Sequence, residues 1–152
     1  MKLQDAIGFK VSLLASSISK YASQTLEDNH SIGITEYRII MVIAQLNGAS
    51  IKEITDLIKT DKGWISRSVT SLLERDLITK EADKRDARKV TLKLTNTGKD
   101  LHKQLAELAE SRHNKILSCL TDGERLMLIE LIEKVQRNAE VLTEESGQES
   151  AK

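Results

Sequence analysis

Proline is absent from the 152 residues, so no helix has to break for want of an amide hydrogen or around a pyrrolidine ring. Aromatic residues make up 3% of the chain, too few for the stacking platforms that hold single-stranded nucleic acid. The single cysteine, Cys119, cannot close an internal disulfide, which fits a reducing compartment, and it leaves no cysteine-based zinc cluster. No apolar run approaches the roughly 20 residues of a membrane span. The start, MKLQDAIGFK, places an aspartate and periodic apolar residues where a secretory leader would carry its apolar core. No membrane association is expected, and the cytoplasm is the expected location. His102 and His113 fall on similar helix faces, but three helical turns hold them roughly 16 Å apart, too far for one metal ion. His30 has no partner nearby in sequence. Paired carboxylates, cysteine–histidine spacings and phosphate loops are also missing, so neither an enzyme nor a cofactor or metal is expected.

What is present is sufficient for one compact domain with extra helices. Lys and Arg balance Asp and Glu at 23 each, yet unevenly: residues 80–93 hold six basic side chains against three acidic ones. A basic patch of this kind faces something anionic. Ile7, Val11, Leu14, Ile18 and Tyr21 recur at helical spacing and predict a long first helix over 5–27. After a loop over 28–33, Thr35 is a candidate cap for a second helix carrying Ile39, Ile40, Ile43 and Leu46, and Asn47-Gly48 ends it. Ser50 and Glu53 have capping-box spacing and open a short third helix with Ile51, Ile54, Leu57 and Ile58, which stops near Lys59. A fourth helix from about Gly63 to Arg75 turns Ile65, Val69, Leu72 and Leu73 inward. Two short helices joined so tightly form a helix-turn-helix.

The period then changes to two. Leu77–Glu81 and Val90–Leu94 alternate apolar and polar residues as two strands with one buried face, joined by the charged connection 82–89. Such a hairpin directly after a helix-turn-helix is a wing. The helical period returns with Leu101, Leu105, Leu108, Ile116 and Leu120, a stripe interrupted by Arg112. Thr121 and Glu124 form a second capping box before a sixth helix with Leu128, Leu131, Ile132, Val135 and Leu142. The polar residues 143–152 read as a disordered tail. The expected fold is mainly α with a small β-hairpin. The winged lobe spans 35–95 and helices over 5–27 and 96–142 flank it, within one domain over 1–142.

With Ile65, Val69, Leu72 and Leu73 inward, the fourth helix presents Trp64, Arg67, Thr70, Ser71 and Glu74 on the other side. Arg67 is the best base reader there, because a guanidinium donates two parallel hydrogen bonds to guanine. Ser66, Ser68, Thr70 and Ser71 are short donors for phosphates or base edges. Gly63 and the free amides at the helix start suit a phosphate, with Lys62 adding charge. Trp64 is open between packing and DNA contact. In the wing, Lys84, Arg85, Arg88 and Lys89 are basic. Arg88 is the choice for the minor groove, and Asp86 is placed to orient an arginine.

Residues 61–98 resemble the MarR family, the multiple-antibiotic-resistance regulators. The resemblance runs through Gly63-Trp64-Ile65-Ser66-Arg67, Leu72-Leu73-Glu74-Arg75-Asp76-Leu77-Ile78, Asp86-Ala87-Arg88 and Leu94-Thr95-Asn96-Thr97-Gly98. It implies a winged helix-turn-helix regulator, more often a repressor, bound to double-stranded DNA. Arg88 matches the minor-groove arginine, Asp86 its neighbouring acid, and Ser66 and Arg67 positions on the reading helix. Asp76 departs from the family's usual glycine. The resemblance also implies a homodimer built by the first, fifth and sixth helices, and a small-molecule effector in a cavity for which Tyr21, Tyr37, Phe9 and Arg112 are candidate lining groups. No ligand site is assigned. Two alternatives stand beside this reading: a winged-helix protein-interaction module, and a redox-sensing repressor using Cys119. That cysteine reads first as a small buried hydrophobe beside Leu117 and Leu120.

Overall fold

Helix boundaries in this chain are set by side chains that occupy the orphan amides of a first turn and by residues whose backbone turns left-handed. The computed structural model describes residues 2–82 and 90–149. A 3-10 turn, Leu3–Asp5, precedes α1 (Ile7–His30), which ends where Ser31 takes a φ of 50°. There follow α2 (Ile34–Gln45), α3 (Ile51–Ile58), α4 (Lys62–Glu74), β1 (Ile78–Ala82), β2 (Val90–Leu94), α5 (Asn96–Ile116) and α6 (Asp122–Glu149). This is the expected mainly helical architecture with one antiparallel hairpin.

Both capping boxes form. Glu53 donates its amide to Ser50 Oγ at 3.2 Å, and its carboxylate accepts the Ser50 amide at 2.8 Å. Thr121 and Glu124 repeat the arrangement, with the Thr121 amide 2.8 Å from the carboxylate. At α2 the expectation changes. The cap is Gly33, whose amide donates to the Glu36 carboxylate at 2.9 Å, and Thr35 lies inside the helix. Asn47 itself is left-handed, with a φ of 52°, and Gly48 follows at 120°. That path lays the chain against β2, where Ala49 and Leu92 exchange two backbone hydrogen bonds of 3.0 and 2.8 Å.

The chain divides into two compact units, residues 1–112 and 113–152. The core of the first is centred on α2, whose Ile39, Ile40 and Ile43 are buried with Leu26 of α1, Ile54 of α3, Ile65 and Leu72 of α4, and Leu105 of α5. Each such side chain contributes about 1.5–3 kcal/mol by leaving water. Ile51 and Leu57 of α3 stay exposed, so only one edge of that helix is held. The hairpin pairs Ile78 with Leu94 and Ala82 with Val90, burying Ile78 and Leu92.

Its base is the tightest junction in the fold. Asp76, φ 53°, ends α4 in the left-handed conformation where glycine is usual, its amide bonding Leu73 and that of Leu77 bonding Leu72. Thr95 then donates its hydroxyl to the Asp76 carbonyl at 2.7 Å and accepts the Gly98 amide at 3.0 Å. A Cβ on Gly98 would stand 1.9 Å from the Leu77 oxygen.

In the second unit, α6 does not stop at Leu142 but continues to Glu149. Residues 143–149, the first part of the expected tail, are helical, and the Thr143 and Ser146 hydroxyls donate to the carbonyls of Ala139 and Leu142, both at 2.8 Å. No proline opposes this. Cys119 is not the small buried hydrophobe expected. α5 ends at Ile116, the stripe does not continue in register, and the thiol is exposed. Along α1, Ile7, Val11, Leu14 and Ile18 are exposed, as are Leu131, Ile132, Val135 and Leu142 along α6. Among the described residues no helix is long and apolar enough to cross a membrane.

Two predictions follow from these local bonds. Gly98→Ala has no room for its methyl and is expected to lower unfolding free energy by about 3 kcal/mol, read from urea denaturation. Hydrogen bonds from Ser50 and Thr121 hold the Glu53 and Glu124 carboxyls below their ordinary value of 4.5. The folded state therefore favours the ionised forms, and their stabilisation, complete above that value, is lost as pH falls through the lowered ones. Replacing both by Gln should flatten the acid-side decline of melting temperature; an unchanged slope would contradict the capping account.

Candidate nucleic-acid interface

The sequence of α4 separates its two sides cleanly. Ile65, Val69 and Leu72 are buried, Leu73 is half-buried, and Lys62, Trp64, Ser66, Arg67, Thr70 and Glu74 are exposed. The buried side fixes the helix against α2, so the outward groups are carried on a rigid support. Lys59, φ 51°, ends α3 and lets the chain turn sharply into α4, completing the helix-turn-helix.

At the start of α4 the structure departs from expectation. Asp61 Oδ1 accepts the amides of Gly63 at 2.9 Å and Trp64 at 3.2 Å. These amides are already occupied by a carboxylate, so the helix start is not the phosphate cradle expected at Gly63. The helix begins at Lys62 rather than at Gly63, which makes Asp61 its N-cap. Lys62 remains exposed beside it.

Ser71 is the second departure. It donates to Glu36 Oε1 at 2.6 Å and is half-buried, so it faces the body of the lobe rather than a groove. Glu36 was not singled out from sequence, yet its carboxylate also receives the Gly33 amide and lies 3.5 Å from Arg75 Nη1. Arg75 Nη1 in turn donates to the Ser31 carbonyl at 3.2 Å. One mostly buried acid thus ties the start of α2 to the end of α4. Its spacing three residues after Gly33 was the available signal.

The remaining outward groups are Trp64, Ser66, Arg67 and Thr70. Thr70 donates its hydroxyl to the Ser66 carbonyl at 3.1 Å but stays exposed. Trp64 is 58% exposed, so it is not packed into the core of the lobe, and Arg67 Cζ lies 4.6 Å from the centre of its ring. Arg85, Asp86, Arg88 and Lys89, the wing residues expected at the interface, lie outside the described residues. The strand ends of the wing are anchored by a Lys93–Glu81 ion pair of 2.7 Å.

Of the candidate effector-lining groups, Tyr37 and Arg112 come together, with Arg112 Cζ 5.2 Å from the ring centre. Arg112 is buried, and its Nη1 has no hydrogen-bond partner among the described residues. A cleft of about 480 Å³ lies elsewhere, between the end of α2, the wing strands and the start of α5, lined by Asn47, Glu81, Lys93, Lys99 and His102 among others. No cluster of His, Cys, Asp or Glu among the described residues is arranged for a metal.

A helix-turn-helix whose second helix turns a polar side outward, followed by a two-stranded wing, defines a winged helix-turn-helix DNA-binding protein. Comparison with known proteins narrows the class. The MarR family model matches residues 32–90. The HTH-type transcriptional regulator BilQ of Clostridium symbiosum is 26% identical over 118 residues, covering 78% of this chain and 81% of that protein. The crystal structure of a MarR/EmrR family transcriptional regulator from Acinetobacter sp. ADP1 superposes with a TM-score of 0.84 at 25% identity, over 92% of this chain and 99% of that one. Two more distant structures share the fold. BpsR of Bordetella bronchiseptica, whose DNA binding is regulated by 6-hydroxynicotinic acid, gives a TM-score of 0.80 at 18% identity, over 90% of this chain and 96% of that one. A mutant of MarR from E. coli complexed with operator DNA gives 0.76 at 20% identity, over 85% of this chain and 92% of that one. Residues 32–90 match the MarR family, whose members are DNA-binding transcription regulators and not enzymes, and over most of its length the chain is similar to regulators of that family.

The Glu36 clamp carries a prediction. Glu36→Ala leaves the Ser71 hydroxyl and the Arg75 guanidinium without their acceptor and should cost about 2 kcal/mol in urea denaturation. Glu36→Gln, which still accepts through its amide oxygen, should cost less.

Proposed function

We propose that the protein is a sequence-specific regulator that binds a pseudo-palindromic duplex as a homodimer in the cytoplasm, acting as a repressor whose affinity for DNA is set by a small molecule. The observation that carries this reading is the division of α4. One side is locked into the core by Ile65, Val69 and Leu72, and the other offers Arg67, Ser66, Thr70 and Trp64 to solvent. Arg67 reads a base edge, Ser66, Thr70 and Lys62 supply further donors, and Arg88, by its match to the family pattern, enters the minor groove beside Asp86. Arg85 and Lys89 add positive charge near the phosphates.

The exposed apolar stripe of α1, with Ile7, Val11, Leu14 and Ile18, supports dimerisation, because a second copy covering it removes that surface from water. A dimer also presents two reading helices to half-sites about one helical turn apart. Regulation by a small molecule follows the precedent of BpsR, and such a ligand acts only through different affinities for the DNA-competent and incompetent arrangements.

Binding of duplexes selected from a random pool tests the reading. Affinity should fall steeply with salt and favour a palindrome. Arg88→Ala should weaken binding roughly tenfold, and Arg67→Ala should relax preference at one base pair of each half-site, with the dimer intact by sedimentation. If the wild-type protein selects no duplex, a protein-interaction role takes precedence.

A further inference from the structure

Trp64 and Arg67 lie three residues apart, close to one turn of α4, and both are exposed. An indole 58% exposed leaves a large apolar surface in water unless something lies over it. The group over it is the guanidinium of Arg67, with Cζ 4.6 Å from the ring centre. Stacking of this kind uses the flat face of the guanidinium and leaves its N–H edge free. Asp61, the nearest acid in sequence, directs Oδ1 to the amides of Gly63 and Trp64. Among the described residues the cation of Arg67 is thus held by a ring and by no carboxylate that would compete with DNA for its donors.

We propose that Trp64 is a positioning residue for Arg67: the indole orders the guanidinium before DNA arrives, so that its free edge meets O6 and N7 of a guanine at one place in each half-site. This rests on the reading of α4 as the helix that enters the major groove. An arginine left free would lose far more rotamer freedom on binding and would reach several neighbouring acceptors. Trp64 therefore governs which base is preferred, not how strongly phosphates are held.

Trp64 is the only tryptophan, so its fluorescence reports the stack in the intact protein without DNA. Acrylamide should quench the Arg67→Ala variant more strongly than the wild type, because one face of the ring is uncovered; equal quenching would overturn the stack. Duplex selection at one salt concentration is then carried out with wild type, Trp64→Phe, Trp64→Ala and Arg67→Ala. Trp64→Ala should lose preference for guanine by about tenfold, as Arg67→Ala does, while its affinity for non-specific duplex and its salt dependence stay unchanged. Trp64→Phe, which keeps a ring face, should retain the preference. Retention of the guanine preference in Trp64→Ala, or an equal weakening on all duplexes, would refute the positioning role alone. Failure of the wild type to select any sequence would remove the DNA-reading proposal and this one with it.

Discussion

At the start of α5, Gly98 comes so close to the chain before β1 that an added Cβ would stand 1.9 Å from the Leu77 oxygen. Thr95 closes the same junction with three bonds, its amide to Leu77, its hydroxyl to Asp76, and its oxygen accepting the Gly98 amide. The end of α4, both roots of the wing and the first turn of α5 meet there. Any side chain at 98 has to push β1 away from α5, which would move the wing relative to the helix before it. The Leu-Thr-x-x-Gly run is therefore a structural joint: threonine supplies the bonds and glycine supplies the clearance.

A second tie acts at the other side of the lobe. Glu36 joins the Gly33 amide, Ser71 and Arg75, and Arg75 reaches the carbonyl of Ser31 at the end of α1. Between this acid and the Thr95 joint, α4 is restrained along its length, with its apolar side packed on α2. Its outward residues are thus presented at a fixed angle by the core, and their effect on DNA is a matter of chemistry rather than of local folding. In the proposed dimer the same rigidity makes the separation of two reading helices the quantity that an effector changes.

Much of this was legible in sequence because the signals are local. Ser50 with Glu53 and Thr121 with Glu124 carry both partners of a cap within four residues. The change of period after Arg75 announces the wing, and the Asp86–Gly98 run announces the family. The readings that failed depended on partners or boundaries that local spacing does not display. Ser71 lies on the border of the helix and points to Glu36, thirty-five positions away. Gly33 offers no side-chain oxygen, so Thr35 was the natural but incorrect cap. Asp61 is hidden by a start expected one residue late, at Gly63 rather than Lys62. Cys119 followed an apolar stripe that ends with α5 at Ile116, and the polar end of α6 resembles disorder in composition while bonding as a helix. At the interface, exposure of Trp64 and its stacking on Arg67 required coordinates. Asp86 and Arg88 rest on the family pattern, and Arg85 and Lys89 on the basic charge of the wing sequence.

The central claim is that two copies of α4 enter successive major grooves on one face of a duplex. Methylation interference on a selected duplex tests it most directly, because a methyl on guanine N7 blocks only the major groove. Two clusters of interfering guanines about one helical turn apart, each weakened in the Arg67→Ala protein, are the predicted result. Binding unaffected by methylation at every guanine would contradict it.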